Sequence, residues 1–212
     1  MNLIRNKILL IIALLLTGSA VVATIWFAPT SSPPTRQALP GFWGEPRVFT
    51  TFTLTDHQKR QLNQDWFTGS WTLVFFGYTH CPDICPMALS LMTEALQNLK
   101  GVAPDGMPLR GLFISVDPDR DTPASLAEYV AHFDPRLTGA TGQRVEIDNI
   151  AKQFGAAYFI NTPEENDKND YSVTHSSSIF FVDPKGHIVN ALMNVQTASE
   201  LQNLLIKLTS SP

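Results

Sequence analysis

The segment VFFGYTHCPDICPM, residues 74–87, contains the two cysteines of this chain, Cys81 and Cys85, separated by three residues. The apolar run at residues 72–76 leads into this segment and predicts a buried β-strand. A proline follows Cys85, where the first turn of a helix accepts one, and helical spacing continues over residues 86–100. Both thiols are therefore expected in a strand-to-helix turn, where unpaired backbone N–H groups and the helix dipole favour thiolates. A thiolate is a nucleophile and also a ligand for soft metal ions.

Strand and helix patterns alternate on both sides of the cysteine segment. Strands are predicted at residues 50–54, 109–116, 178–182 and 186–193, and the last two are joined by the turn sequence Asp183-Pro184-Lys185-Gly186. Helices are predicted at residues 122–133, 143–154 and 197–208. Strands that alternate with helices and end in a hairpin and a closing helix predict an α/β sandwich of the thioredoxin type with a central mixed sheet.

The N-terminal 28 residues predict a membrane anchor with one transmembrane helix. Two basic residues and no acidic one precede residues 8–28, a run of 21 residues without a charge that is long enough to cross a hydrocarbon core of about 30 Å. The pair Trp26-Phe27 ends the run where aromatic residues lie at a membrane interface, and the basic flank places the N-terminus in the cytoplasm. A cleaved signal peptide, with a peptidase site at Val21-Val22-Ala23, is the alternative interpretation.

Residues 29–40 contain four prolines and few groups that could form a core, which predicts a semi-extended tether. The following 172 residues, 41–212, are within the usual size of one domain. Removing Arg5 and Lys7 from the 15 basic residues leaves 13 against 19 acidic ones, a formal charge of −6 outside the predicted anchor. This charge argues against nucleic-acid binding and against electrostatic attachment to anionic lipid.

Two cysteines in an exported domain first suggest a structural disulfide. A loop of three residues constrains the unfolded chain little, and a domain of this size does not need a disulfide, so this interpretation is weak. A structural zinc site would need four ligands, and the chain has no second cysteine pair. Thiol–disulfide exchange and the binding of a softer metal ion therefore stay open as alternatives.

A third metal ligand would come from one of five histidines. Three lie where a turn or a helix end is a sufficient explanation for a histidine: His57, His132 and His187. His80 adjoins Cys81, where its ring can point away from the cysteines and still tune the thiolate pKa as a nearby cation. His175 comes shortly before the strand predicted at residues 178–182, and it is either a polar residue at the end of a strand or a ligand.

Residues 75–86, FFGYTHCPDICP, strongly resemble the signature of the Sco/SenC family, thioredoxin-like copper proteins that help to assemble cytochrome c oxidase. Residues 115–123, SVDPDRDTP, also resemble that family's Asp-Pro-x-Arg-Asp-Thr segment, and the resemblance covers residues 49–208. Thioredoxin-like oxidoreductases carry a cis-proline opposite the cysteines, whereas residues 174–179 contain no proline. The family instead brings a histidine to the cysteine pair in this loop, and His175 matches it.

The resemblance implies that Cys81, Cys85 and His175 bind one copper ion per chain. Two thiolates and an imidazole form a small, soft site that suits Cu(I) and, with an added ligand, Cu(II). The family often has Asp directly before the ligand histidine, and Thr174 in this chain removes a carboxylate near the site while leaving the ligand set unchanged. Asp121, in the second motif, is expected to cap the following helix or, alternatively, to hold a neighbouring group.

The function that the resemblance implies is that of a membrane-anchored copper protein on the periplasmic side of the cytoplasmic membrane, without a need for enzymatic turnover. It would deliver copper to the dinuclear copper centre of cytochrome c oxidase or reduce the cysteines of that centre. Expected partners are the oxidase subunit with that centre, and another copper chaperone or a thioredoxin-like reductant. The alternatives are a thiol-disulfide oxidoreductase or peroxidase, with Cys81 as nucleophile and Cys85 resolving, and a module that senses copper or redox state.

Overall fold

The computed structural model describes residues 45–161 and 171–210, and an eight-stranded mixed β-sheet is the central feature of these residues. The strands are β1 Arg47–Val48, β2 Leu54–Asp56, β3 Gln61–Leu62, β4 Trp71–Gly77, β5 Leu109–Ser115, β6 Leu137–Thr141, β7 Tyr158–Asn161, β8 Ser172–His175, β9 Ile179–Val182 and β10 His187–Leu192. The helices are α1 Ile84–Asn98, α2 Pro123–Ala131, α3 Arg144–Phe154 and α4 Ala198–Thr209, with a 3-10 helix at Gln64–Phe67.

The strand β4 lies in the middle of the sheet, whose order is β1-β10-β9-β4-β5-β6-β2-β3. It pairs in parallel with β5 and antiparallel with β9, and all seven of its residues are buried. A strand that is covered on both faces has apolar side chains throughout, which explains the continuous run in the sequence. The predicted thioredoxin-like α/β architecture with a mixed central sheet is confirmed.

Neighbouring residues of β4 point to opposite faces of the sheet, so that one core layer lies on each face. The ring of Phe76 contacts Phe154 at a centroid distance of 5.3 Å. The ring of Phe75 lies on the other face, 6.5 Å from Phe113 and 5.7 Å from the imidazole of His175. The candidate ligand His175 is therefore on the Phe75 face of the sheet.

The parallel pairing of β4 with β5 places two loops of the site side by side. Gly77 is opposite Ser115 at the ends of these strands, and the N–H of Val116 donates to the carbonyl of Gly77 at 2.9 Å. The carboxyl ends of parallel neighbours meet at one edge of a sheet, where ligands commonly bind. The turn that carries Cys81 and the loop at residues 116–122 both leave from this edge.

A separate two-stranded antiparallel sheet of β7 and β8 carries His175. Its register pairs Tyr158 with His175, and the N–H of Ser176 donates to the carbonyl of Ala157 at 2.8 Å. Neither strand was predicted from the sequence. The exposed position of β7 is occupied by Phe159, so the apolar run Tyr158-Phe159-Ile160 lacks the apolar–polar alternation by which a half-buried strand is recognised.

The other predicted elements are confirmed with boundaries that differ by one or two residues, except for the strand at residues 50–54, which is wrong. Only Leu54 of that segment is in a strand. Two backbone N–H groups of the segment donate hydrogen bonds to side chains of α3 and not to a neighbouring strand. Thr50 donates to Gln153 Oε1 at 2.8 Å, and Thr53 donates to Glu146 Oε2 at 2.9 Å. The strands β1, β3 and β6 were also not predicted.

The predicted membrane anchor, residues 1–28, and the predicted tether, residues 29–40, lie outside the described residues. Within residues 45–161 and 171–210, no helix combines the length and the apolar character that a membrane span requires.

Candidate metal centre

The two cysteines lie on either side of the start of α1, which begins at Ile84 and not at the predicted residue 86. Cys81 is half-buried in the turn before the helix, and Cys85 is fully buried in the first helical turn. The backbone N–H of Cys85 donates to Sγ of Cys81 at 3.5 Å. The predicted location of both thiols in a strand-to-helix turn is confirmed, and an N–H group of the helix start points at the more exposed sulfur.

The environment of Cys85 differs from the expected one. Burial raises the pKa of its thiol well above the usual value; a hydrogen bond with the backbone of Tyr78 opposes this effect, and the nearby Cys81 adds to it. The expectation that the helix N-terminus favours a thiolate at both positions is therefore wrong for Cys85. Removal from water disfavours the charged form more strongly than the helix end favours it. In the metal-free protein Cys85 is a neutral thiol, whose proton a metal ion would have to displace.

His175, at the end of β8, lies next to the cysteines. Its Nε2 is 3.2 Å from Sγ of Cys85. The two sulfur atoms and a ring nitrogen of His175 all lie within 4.8 Å of one another, and they form the one such group of His, Cys, Asp and Glu side chains found in residues 45–161 and 171–210. The fold thus brings together the three residues selected from the sequence, although Cys85 and His175 are 90 positions apart.

The hydrogen bonds of His175 determine which ring nitrogen is available to a metal. Nδ1 lies 3.1 Å from the carbonyl oxygen of Ser176, and because a carbonyl only accepts, Nδ1 carries the proton of the neutral ring. Nε2 therefore presents its lone pair towards Cys85. Burial lowers the pKa of His175, although the bond to Ser176 acts in the opposite direction, so the imidazole is neutral at pH 7. Histidine ligands of metals typically have such a second bond on the other nitrogen.

The three donors fit a small, soft metal ion. Bonds from sulfur and nitrogen to a comparable first-row ion are about 2.3 and 2.0 Å long, so two donors of one ion lie no more than about 4.6 Å apart. The observed group therefore needs only a small contraction to reach that geometry. Gly77 keeps space free beside it, since a Cβ atom at this position would lie 2.5 Å from Sγ of Cys85.

The other four histidines lie outside the donor group. The side chain of His80 is 58% exposed, and its Nδ1 lies 3.1 Å from Oγ1 of Thr79 and 4.0 Å from Oδ1 of Asp121. The remaining three contact backbone groups or a carboxylate elsewhere: His57 with Gly139, His132 with Glu128, and His187 with Asp183. The structure therefore leaves His175 as the histidine that accompanies the cysteines.

Asp121 is not a helix cap, and that prediction is wrong. The N-cap of α2 is Thr122, whose Oγ1 accepts a hydrogen bond from the N–H of Ser125 at 3.2 Å. Asp121 is buried and accepts hydrogen bonds from Thr79 and Ser115. The alternative interpretation, that Asp121 holds a neighbouring group, is confirmed.

Thr174, which stands where the family often has Asp, points away from the donor group. It is exposed, and successive residues of a strand face opposite sides, so its side chain and that of His175 diverge. Its Oγ1 accepts a hydrogen bond from Nδ2 of Asn161 in β7 at 3.0 Å. The substitution therefore changes the outer face of the β7–β8 sheet, and the expectation that it removes a carboxylate near the site is wrong.

Sequence reasoning missed the residues that support the donor group, namely Asp117, Arg120 and Tyr171. Asp117 and Arg120 belong to the motif at residues 115–123, and this motif was the sequence signal that could have identified them. Nothing in the sequence connects them with Tyr171, which lies 51 residues after Arg120.

Comparison with known proteins identifies the family. A sequence model of the family described as SCO1/SenC matches residues 43–210 of this chain. Protein SCO1 homolog, mitochondrial, from Homo sapiens is 36% identical over 149 residues, which are 69% of this chain and 48% of the human protein. The SCO2-like protein RC0895 from Rickettsia conorii is 31% identical over 199 residues, 94% of this chain and 95% of that protein. The chain thus spans about half the length of the human relative and nearly all of the bacterial one.

Solved structures agree with the sequence match. The crystal structure of yeast Sco1 with copper bound has a TM-score of 0.70 and 31% identity to this chain, and covers 79% of this chain and 91% of the yeast chain. The family match extends over most of the chain and includes both cysteines and His175. The chain therefore belongs to the SCO1/SenC family.

Proposed function

We propose that this protein binds one copper ion as cargo through Cys81, Cys85 and His175, and that it acts in the assembly of cytochrome c oxidase. The observation that carries this proposal is the group of two sulfur atoms and one imidazole nitrogen within 4.8 Å. Thiolates select soft ions such as Cu(I), imidazole also suits copper, and a structural zinc site would need a fourth protein ligand. The copper-bound state of yeast Sco1, which is 31% identical to this chain, supports copper as the ion.

Copper binding is coupled to loss of thiol protons. Burial keeps Cys85 protonated in the metal-free protein, so its proton leaves as the sulfur–copper bond forms, and the affinity decreases as the pH falls. His175 is already neutral, and its Nε2 lone pair is available without a proton transfer. Two thiolates are sufficient for Cu(I), whereas Cu(II) prefers the additional nitrogen.

The difference in exposure between the cysteines gives the exchange a direction. Cys81 is half-buried and Cys85 is buried, so that ligands of a partner reach the metal from the side of Cys81. In delivery, thiolates of the dinuclear copper centre bind copper as Cys81 and Cys85 release it, without a change of oxidation state. The partner is the oxidase subunit that carries this centre, and another copper chaperone loads the site.

Reduction of the cysteines of the same centre uses the same two thiols. The Cys81 thiolate attacks one sulfur of the partner's disulfide, and a mixed disulfide forms. Cys85 then loses its proton and attacks Cys81, which releases the partner as a dithiol and leaves a Cys81–Cys85 disulfide. A thioredoxin-like reductant supplies the two electrons that restore the pair. The hydrogen bond from the N–H of Cys85 to Sγ of Cys81 supports Cys81 as the attacking group, and it also favours a general thiol-disulfide oxidoreductase as the second candidate.

Copper titration of the purified, reduced full chain tests the proposal. We expect one copper ion per chain and, with Cu(II), an intense absorption from thiolate-to-copper charge transfer. A chain that binds no copper and instead reduces protein disulfides catalytically would support the oxidoreductase. Delivery and reduction are distinguished by adding the copper domain of the oxidase subunit with its cysteines either reduced or oxidised. Delivery moves copper to the reduced domain, and reduction converts the oxidised domain to thiols while a Cys81–Cys85 disulfide appears.

We also propose that residues 1–28 anchor the protein in the cytoplasmic membrane, with residues 29–40 as a tether and residues 41–212 on the periplasmic side. The uncharged run at residues 8–28 and the two basic residues before it support this topology. We expect the protein in the membrane fraction with its N-terminus intact, and digestion of residues 41–212 by protease added to spheroplasts. A soluble form whose N-terminal sequence begins near Thr24 would contradict the anchor.

A further inference from the structure

Two fully buried carboxylates lie close to the cysteine–histidine group without being part of it: Asp117 and Asp121. Both belong to residues 116–122 between β5 and α2, a segment called the bracket loop from here on. A buried carboxylate is costly unless it is paired and hydrogen-bonded, so its partners indicate what the loop holds in place. Each of the two carboxylates holds a different ligand-bearing segment.

Asp121 holds the segment that leads to the cysteines. Its Oδ2 accepts hydrogen bonds from the N–H of Thr79 at 3.0 Å and from the hydroxyl of Ser115 at 2.6 Å. Its Oδ1 accepts from the hydroxyl of Thr79 at 2.5 Å. Thr79 is two residues before Cys81, so these bonds link the cysteine turn to the end of β5.

Asp117 and Arg120 hold the segment that leads to His175. Asp117 Oδ2 lies 2.5 Å from Nε of Arg120, and Oδ1 accepts from the hydroxyl of Tyr171 at 2.6 Å. Arg120 Nη1 donates to the carbonyl of Tyr171 at 2.9 Å, and its guanidinium carbon lies 3.6 Å from the centre of the Tyr171 ring. Burial and the bond to Asp117 raise the pKa of Tyr171 to about 12, so its hydroxyl is a donor at neutral pH. Tyr171 directly precedes β8, whose last residue is His175.

The strand β8 depends on such contacts because it is not part of the eight-stranded sheet. In the described part of the chain its strand partner is β7. The ladder of the main sheet positions β4 and therefore the cysteine turn, whereas His175 lies outside that ladder, four residues before Ile179 of β9. Tyr78 adds a second link, since its ring lies 5.9 Å from the His175 ring and 5.6 Å from the guanidinium of Arg120.

We propose that Asp117 and Arg120 are positioning residues that hold β8 so that Nε2 of His175 stays within bonding distance of the two sulfur atoms. As far as it concerns copper, this inference rests on the proposed function. Because two thiolates satisfy Cu(I) whereas Cu(II) prefers nitrogen, the bracket loop controls the affinity for Cu(II) more than the affinity for Cu(I).

Arg120→Gln in the full chain tests this inference. The change removes the cation that joins Asp117 to the carbonyl of Tyr171. We expect about 10- to 100-fold weaker Cu(II) binding, the usual effect of losing a group that supports a metal ligand, with a changed electron spin resonance spectrum and little change for Cu(I). Tyr171→Phe removes a single hydroxyl, and it should give a smaller effect in the same direction if Arg120→Gln does not fold.

Arg136→Gln is the matched control. Arg136 pairs with the buried Asp134 at 2.6 Å and donates to the carbonyl of Leu96 at 2.8 Å, so it has the same chemistry near the other end of α1. We expect a loss of thermal stability in this variant without a change in Cu(II) affinity or spectrum. Equal effects of the two arginine substitutions on the Cu(II) spectrum would overturn the inference.

A measurement on the metal-free protein tests this inference independently of the proposed function. In the metal-free full chain with labelled histidine, nuclear Overhauser contacts of the His175 ring with the rings of Phe75 and Tyr78 report the position of β8. We expect Arg120→Gln to weaken these contacts and Arg136→Gln to keep them, whether or not copper binds. Unchanged contacts in Arg120→Gln would overturn the positioning role. Weakened contacts in a protein that binds no copper would support that role and contradict the proposed function alone.

Discussion

Cys81→Ala and Cys85→Ala should each remove most of the bound copper. Either change deletes a soft, charged donor from a set of three. Loss of a residue that only supports a ligand already costs about 10- to 100-fold in metal affinity, so we expect more than about 100-fold weaker binding of both Cu(I) and Cu(II). Competition with a copper chelator, followed by absorption, measures the affinity of each variant.

His132→Ala is the control for the cysteine variants, since Nδ1 of His132 lies 2.7 Å from the carbonyl of Glu128, outside the donor group. It should keep wild-type copper binding. Cys85 is buried next to Gly77, so thermal unfolding of Cys85→Ala must show that the variant is folded. A folded variant that keeps wild-type affinity would remove that cysteine from the ligand set.

His175→Ala should separate the two oxidation states of copper. Cu(II) loses the nitrogen donor that it prefers, so its charge-transfer band should weaken or shift, and its affinity should fall by about 100-fold or more. Cu(I) keeps both thiolates, and we expect this variant to retain part of its Cu(I). Absorption and electron spin resonance of the Cu(II) form, together with Cu(I) competition, measure the two effects.

His80→Ala is the matched control for that experiment, because His80 adjoins Cys81 but contacts Thr79 and approaches Asp121. Its copper content and spectrum should be those of the wild type. An unchanged Cu(II) spectrum in His175→Ala would show that this histidine is not a ligand. The oxidoreductase alternative predicts the reverse pattern, with disulfide exchange intact in His175→Ala and no stoichiometric metal in any variant.

The local part of the site could be predicted from local sequence. The continuous apolar run at β4 is typical of a strand that is covered on both faces of a sheet. The proline after Cys85 indicates the start of a helix. These two patterns place both cysteines in one turn. The same reasoning failed at residues 50–54, where side chains of α3 accept the hydrogen bonds of an expected strand. It also failed at β8, a strand of four residues in which Val173 is the one fully buried residue.

His175 was only partly predictable. From its position before a buried strand, His175 could equally be a polar residue at a strand end or a metal ligand. The resemblance to the Sco/SenC family was needed to choose between these interpretations. The structure adds the physical reason: β8 places the ring against Phe75 and Tyr78, and the carbonyl of Ser176 fixes the proton on Nδ1. These contacts depend on how β8 lies against the main sheet. No sequence pattern within residues 171–178 indicates that position.

The sequence by itself determined where the thiols are and, to within two residues, where the strands β4, β5, β9 and β10 and the four helices lie. Backbone preference and apolar periodicity are local properties, so such elements can be recognised without the fold. Only the tertiary structure decided that Cys85 is buried enough to stay protonated and that Asp121 accepts bonds from Thr79. It also decided that Arg120 holds Tyr171, 51 residues later. Burial and long-range hydrogen bonds depend on which strands become neighbours, and that order is a property of the whole sheet, since each strand is placed by partners distant in sequence.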